Sequence, residues 1–307
     1  MNILPTVKQL RYLLALDKEQ HFGRAAKSCF VSQSAFSIAI KELEKTLDCH
    51  LVDRTNKSVT ITALGQEIVL QARLCICDIE YLIEIASENH EVLSGKLTLG
   101  IIPTIAPFIL PKVLPKLRVL LPKLQLYLRE GLTLQLYDKL MKGELDVILL
   151  ALPYNLKNTE FQILFKDCFK LACRKNSKLV DPENYQLNRL NSDSVILLEE
   201  GHCLRDHALA ACRLHSQEKI NRFSASSLST LIQMVDSDLG ITYLPEMAEH
   251  SGLLKGTRVK MYPLKENSYR EIALLWRKGT ARADEFREFG SMIKENFFSH
   301  KGAMSTK

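Results

Sequence analysis

Phe22 to Gly65 reads FGRAAKSCFVSQSAFSIAIKELEKTLDCHLVDRTNKSVTITALG, and this stretch decides how the first part of the chain folds. Within it Phe36, Ile40, Leu43 and Leu47 recur at spacings of 4, 3 and 4, one face of a helix from about Gln33 to Leu47. Ser32 stands where a side-chain oxygen caps such a helix. A shorter helix precedes it, His21 to Ser28, whose Ala25 and Ala26 offer the small surface that close helix approach needs. Val31 plugs the turn between them. With Phe36, Ile40 and Leu43 buried, the opposite face presents Ser34, Ser37, Ile38 and Lys41, and Gln33 sits at the positively polarised helix start. Such a face suits base edges and phosphates. A plain three-helix bundle with a solvated polar face has the same spacing. Upstream, Leu10, Leu13, Leu14 and Leu16 stripe a first helix; downstream, Leu51 to Ile61 alternates around Thr55, Asn56 and Lys57 like a hairpin.

The same stretch resembles the winged helix-turn-helix of LysR-type transcriptional regulators. The residues that carry the likeness are Ala25-Ala26, Val31-Ser32-Gln33, Ser37, Ile40, Leu43-Glu44, Leu51, Arg54 and Thr62-Ala63-Leu64-Gly65. The family has a proline after the glutamine; here that position is Ser34, which a helix start accepts and which puts base preference in question. The resemblance implies that Arg54 and Lys57 belong to a wing that touches phosphates. It also implies double-stranded DNA with two-fold related sites as partner, self-association into dimers and tetramers, and contact with RNA polymerase.

From Thr62 to about Val92 there is no proline, and Leu64, Ile68, Ala72, Cys75, Ile79, Leu82 and Ala86 step by 3 or 4 in a near-heptad seam. A helix of that length needs a partner for its stripe, and a second copy of the chain is the simplest. Ser94-Gly95 ends it like a hinge. After Lys96 strands alternate with helices, which predicts an α/β fold with mostly parallel sheets. The expected fold class is thus an α+β multidomain chain: an N-terminal winged helix-turn-helix (1–62), a long linker helix (63–93), a two-lobed α/β regulatory domain similar to periplasmic binding proteins (96–299) and a tail (300–307). The last of these domain types is implied by the family resemblance.

Composition narrows the classes. Hydrophobic residues at 46% and charged residues at 25% suit a packed core and exclude a disordered chain. No apolar run approaches the roughly 20 residues that span a bilayer, and the first residues lack a small-residue cleavage site after an apolar run, so a cytoplasmic protein without membrane contact is expected. Residues 1–62 hold nine Lys or Arg against six Asp or Glu, half of the net +6 in a fifth of the chain. That permits phosphate contact.

Eight cysteines in such a chain should be reduced at rest. One pair stands out, in Glu199-Glu200-Gly201-His202-Cys203-Leu204-Arg205-Asp206-His207-Ala208-Leu209-Ala210-Ala211-Cys212. A strand ends near Leu198 and a helix begins near Cys203. A thiol at a helix N-terminus, near Arg205 and His202, is favoured as thiolate, the form that attacks a peroxide. The resulting sulfenic acid condenses with a second thiol, for which Cys212 is the natural candidate. Nine helical residues set the two Cα atoms roughly 13 Å apart, whereas a disulfide needs about 4.4–6.8 Å. The pair can join only if the intervening helix melts. On spacing alone the two read more readily as unrelated buried cysteines.

GHCLRDHALAAC, the later Phe223-Ser224-Ala225-Ser226-Ser227-Leu228, and Gly100-Ile101-Ile102-Pro103-Thr104 resemble the peroxide-sensing branch of the LysR family. That resemblance implies hydrogen peroxide as the signal, Cys203 as the peroxidatic thiol and Cys212 as the resolving one. It implies a pocket of Thr104, Thr133, His202 and Asp206, with Arg205 in the same motif, and no cofactor. Arg277 also matches, without a role. Two other readings use the same residues. One is a LysR-type regulator with a small organic effector between its lobes and incidental cysteines. The other is a thiol peroxidase, which has no need of residues 1–92. A zinc site on His202, Cys203, His207, Cys212 and His215 is set aside, because it would consume the free thiol.

Overall fold

The structure is a computed structural model of the chain and describes residues 4–54, 59–86, 92–211, 217–249, 251–265 and 268–298. Lys57, Cys212, His215 and the tail therefore lie outside the described residues. The chain divides into two compact units, Met1–Glu91 with Met141–Glu144, and Val92–Leu140 with Leu145–Lys307.

The first unit begins with α1 (Val7–Glu19), α2 (Phe22–Ser28) and α3 (Gln33–Leu47). Local chemistry sets each start. Thr6 and Gln9 form a reciprocal capping box on α1, the His21 ring accepts the Gly23 and Arg24 amides before α2, and Ser32 accepts the Ala35 amide before α3. The core is the one the spacing predicts: Leu13, Leu16, Ala25, Ala26, Phe36, Ile40 and Leu43 are buried, and Phe36 stacks on Tyr12 at 4.8 Å. The antiparallel hairpin β1 (Val52–Arg54) and β2 (Val59–Ile61) follows. Glu44 ties α3 to this hairpin by accepting the Leu51 and Val52 amides at 2.9 and 3.2 Å. Thr62 caps α4 (Ala63–Ile85) by accepting the Gly65 amide. A Cβ on Gly65 would lie 2.4 Å from the Leu51 carbonyl oxygen, so this closure requires glycine.

The α4 seam is not the stripe that the chain itself covers. The stripe buried within the chain is Val69, Ala72 and Ile76, of which Val69 and Ala72 join the core of Leu13 and Leu16 of α1. Of the expected seam, Ala72 belongs to that core and Ile68 packs against it. Leu64 and Leu82 are exposed, and Ile68, Cys75 and Ile79 are half-buried. An α-helix this wide in apolar residues carries two stripes, and the chain covers one of them.

The second unit runs β3 (Gly95–Ile101), α5 (Ala106–Leu120), β4 (Leu124–Glu130), α6 (Thr133–Met141), β5 (Val147–Leu152), β6 (Thr159–Arg174), β7 (Val195–Leu198), α7 (Cys203–Ala211), β8 (Ile220–Ala225), α8 (Leu228–Asp236), β9 (Thr242–Pro245), β10 (Val259–Pro263), β11 (Tyr269–Arg277) and α9 (Ala283–Phe298). Pro111 and Pro115 do not break α5; both are exposed, so the carbonyls they leave unbonded face solvent. The main sheet has the order β10-β6-β11-β5-β3-β4, with β9 also on β6. It is mixed, not mostly parallel. β3 pairs in parallel with β4 and β5, as the crossover helices dictate, but β11 is antiparallel to both β5 and β6. The 16-residue β6 belongs to both lobes: Thr159–Cys168 pairs with β11 and Phe169–Arg174 with β9 and β10. β7 and β8 form a small parallel pair in the second lobe.

Candidate functional site

The DNA-facing candidates follow from α3. Gln33, Ser34, Ile38 and Lys41 are exposed and Ser37 is half-buried; Ser34, Ile38 and Lys41 lie on the face away from Phe36 and Ile40, and Gln33 stands at the helix start. The Ser34 hydroxyl lies 3.0 Å from that of the Ser32 cap, so serine is built into the helix start where the family carries proline. Arg54 ends β1, opposite Val59.

The thiol site is assembled from distant segments. β7 delivers four buried residues, Val195 to Leu198, and the chain then turns through Gly201 at φ +92°, a left-handed conformation that favours glycine. Cys203 opens α7 and is 3% exposed, as a free thiol. The buried hydroxyls of Thr104 and Thr133 lie close enough to the sulfur to favour its ionised form, as does the Arg270 guanidinium. Thr133 Oγ1 makes no geometrically complete hydrogen bond among the described residues, and neither does His202 Nδ1, next in the chain to Cys203. Asp206 is exposed, and its charge works against the thiolate. The structure thus brings Thr104, Thr133 and Cys203 together, with His202 adjacent and Asp206 within electrostatic reach.

Two expectations are corrected here. Arg205 does not serve the thiolate: its Nη1 donates to the Leu198 carbonyl at 3.0 Å. The net balance at the thiol is also reversed. Burial pushes Cys203 above the ordinary thiol value and outweighs Arg270, Thr133 and Thr104, so at neutral pH the group is the thiol.

Arg270 and Asp167 were not among the sequence candidates. Both are buried on adjacent strands, paired at 3.0 Å. Arg270 also donates to Thr104, at 3.3 Å to Oγ1 and 2.9 Å to the carbonyl. Asp167 accepts the Met247 amide at 3.1 Å. Burial pushes the Asp167 carboxyl up, and Arg270 pulls it back. The pair fixes the threonine that faces the sulfur. The signal was present: Arg270 shares a strand face with apolar Ile272, and a lone charge at an inward position marks a buried pair. Tyr154 was missed as well. Burial, then the charges of Cys203 and Asp206, push its phenol up, which sets it near the thiol. Tyr154 lines a groove of 720 Å3 with Leu152, Phe161, Ile163 and Tyr269.

Two folded units, one with an exposed helix-turn-helix face and one with a buried thiol in a two-lobed α/β domain, define a regulator with a sensing domain. Family models agree: the lysR family of bacterial regulatory helix-turn-helix proteins matches residues 7–66, and the LysR substrate binding domain matches residues 90–298. The chain belongs to the LysR family. It is 42% identical to the HTH-type transcriptional regulator EstR of Acinetobacter baylyi, over 96% of this chain and 98% of that one. It is 35% identical to the hydrogen peroxide-inducible genes activator of Dickeya chrysanthemi, over 98% and 99%. A full-length OxyR variant from Pseudomonas aeruginosa superposes with a TM-score of 0.73 at 32% identity, covering 97% of this chain and 96% of that one. No described helix is long and apolar enough to cross a membrane.

Proposed function

We propose that this LysR-family chain is a transcriptional regulator that senses hydrogen peroxide through Cys203 and Cys212. The observation that carries the reading is the buried Cys203 thiol at the start of α7, facing two threonine hydroxyls beside Arg270. Hydrogen peroxide both donates and accepts hydrogen bonds, and Thr104, Thr133 and His202 supply that mixture. The Cys203 sulfur attacks one peroxide oxygen, the O–O bond breaks, and the leaving oxygen takes the thiol proton and departs as water. Cys203 is then a sulfenic acid, oxidised by two electrons. The Cys212 sulfur attacks it, the S–S bond forms, the S–O bond breaks, and a second water leaves. Because α7 is helical from Cys203 to Ala211, this linkage requires that helix to melt.

On this reading residues 1–62 bind duplex DNA through Gln33, Ser34, Ser37 and Lys41, with Arg54 and Lys57 on the wing. Residues 63–93 dimerise through the exposed α4 stripe, residues 96–299 sense, and 300–307 form a tail. Melting of α7 rearranges the oligomer on its operator, in the cytoplasm and in contact with RNA polymerase. The chain turns over no substrate. The test is duplex binding by the full chain with and without one equivalent of peroxide. Wild type should change affinity or footprint, and Cys203→Ser should bind in the reduced manner under both conditions. An unchanged response in Cys203→Ser overturns the reading, and multiple-turnover peroxide loss without specific duplex binding favours a thiol peroxidase.

The groove beside Tyr154 favours one second reading: a small organic effector bound between the lobes, with the cysteines incidental. Calorimetric binding of a metabolite by the Cys203→Ser variant, with a matching shift in DNA affinity, would establish it.

A further inference from the structure

Helix α7 buries one face, made of Cys203, Leu204, His207 and Ala208. Of these, His207 is the titratable group that the peroxide chemistry leaves unused. Its Nε2 lies 3.0 Å from the carbonyl oxygen of Pro153, in the segment that leaves β5. Burial, reinforced by Arg270, pushes the imidazole below its ordinary value despite the Pro153 carbonyl and Asp206, so at pH 7 the ring is neutral with one N–H. A carbonyl only accepts, so that proton is on Nε2. Nδ1 is then a bare buried acceptor with no hydrogen-bond partner among the described residues.

Arg205 ties the same helix to Leu198, but Leu198 ends β7 in the helix's own lobe. The His207 bond reaches from the middle of α7 to the strand end of the first lobe, 54 residues away. It lies inside the stretch that must melt before Cys203 can meet Cys212. We infer that the His207–Pro153 hydrogen bond is the clasp that holds the Cys203 helix closed in the thiol form, which makes His207 a positioning residue for peroxide sensing. The inference rests on the proposed Cys203–Cys212 linkage. The unpaired Nδ1 keeps the clasp light. On melting, both ring nitrogens gain water, which offsets part of what the bond contributes. A ring bonded at both nitrogens would lock the helix; an apolar residue would leave the Pro153 carbonyl unpaired and the helix loose.

The test is amide hydrogen exchange across residues 204–211 in the reduced full chain, for wild type, His207→Leu and His207→Gln. Disulfide formation after peroxide is timed in the same three proteins. The Leu variant should exchange about fivefold faster in α7, the effect of one net hydrogen bond, and close its disulfide faster by a similar factor. The Gln variant, whose amide N–H reaches a carbonyl, should restore both. If the Leu variant does not fold, His207→Asn, too short to reach Pro153, replaces it with the same expected result. Wild-type exchange in the Leu variant, or a Gln variant no different from Leu, overturns the clasp. If exchange behaves as expected but wild type forms no disulfide, the sensing proposal fails while the clasp stands as a purely structural bond, and its role in sensing is overturned.

Discussion

The two candidate sites are built in opposite ways. The helix-turn-helix presents its chemistry outward from one continuous segment, with Gln33, Ser34 and Lys41 exposed over a core of Phe36, Ile40 and Leu43. The thiol site hides its chemistry and gathers it from Thr104, Thr133, Asp167, Cys203 and Arg270, spread over some half of the chain. A local surface tolerates change at single residues, because water replaces whatever is removed. A buried polar assembly does not, because each lost partner leaves another group unsatisfied.

That contrast can be broken most forcefully at Arg270. Arg270→Met removes the partner of a fully buried Asp167, at a cost of about 3–5 kcal/mol, and the loss should appear as a lower thermal midpoint with slower Cys203 oxidation. Adding Asp167→Leu should recover most of the stability but not the oxidation rate. Recovery of both would mean that Arg270 acts on packing alone. Phe36→Ala tests the other core at a comparable magnitude, about 3–5 kcal/mol, and should abolish duplex binding while leaving the sulfenic acid chemistry of Cys203 intact. Lys41→Ala, on the exposed face, should leave folding unchanged and weaken duplex binding uniformly across sequences, with the salt slope falling by about one unit. An unchanged slope removes Lys41 from the phosphate contacts.

The smaller effects are pH dependences. Cys203 lies above the ordinary thiol value through burial, so its oxidation rate should climb steadily from pH 6 to pH 9; a flat profile would mean that the thiolate already dominates. His207 is held below its ordinary value by burial. Its unfolded form takes up a proton near the ordinary imidazole value of 6.5 while the folded form resists. Its contribution to stability is therefore present above that pH and lost as pH falls through the lower folded value. The protection of the α7 amides, measured relative to their intrinsic exchange at each pH, should fall on acidification, and His207→Gln should remove that dependence.

How much was legible in the sequence divides along the same line. The α3 boundaries, its Ser32 cap and its buried face were readable because helix periodicity and capping are local. The start of α7 at Cys203 was readable for the same reason. Arg270 was legible only as a lone inward charge; its partners Asp167 and Thr104 were not, since they lie 103 and 166 residues away and only the fold brings them together. The thiol's protonation was misread because a helix start and a nearby arginine are visible in sequence, whereas the depth of burial is not. The mixed sheet was misread because strand alternation shows crossovers but not the return of β11 between β5 and β6. The second α4 stripe, with Val69 and Ala72, was not separable in the sequence because two apolar faces interleave, and only packing against α1 shows which one the chain covers.

The most direct measurement is mass spectrometric mapping of sulfur linkages in the full chain, reduced and then treated with stoichiometric peroxide. The account predicts no link to Cys203 before treatment and a Cys203–Cys212 bond afterwards, accompanied by faster exchange across residues 204–211. A Cys203–Cys212 bond that forms while α7 stays protected, or a Cys203 that peroxide leaves unlinked, contradicts it.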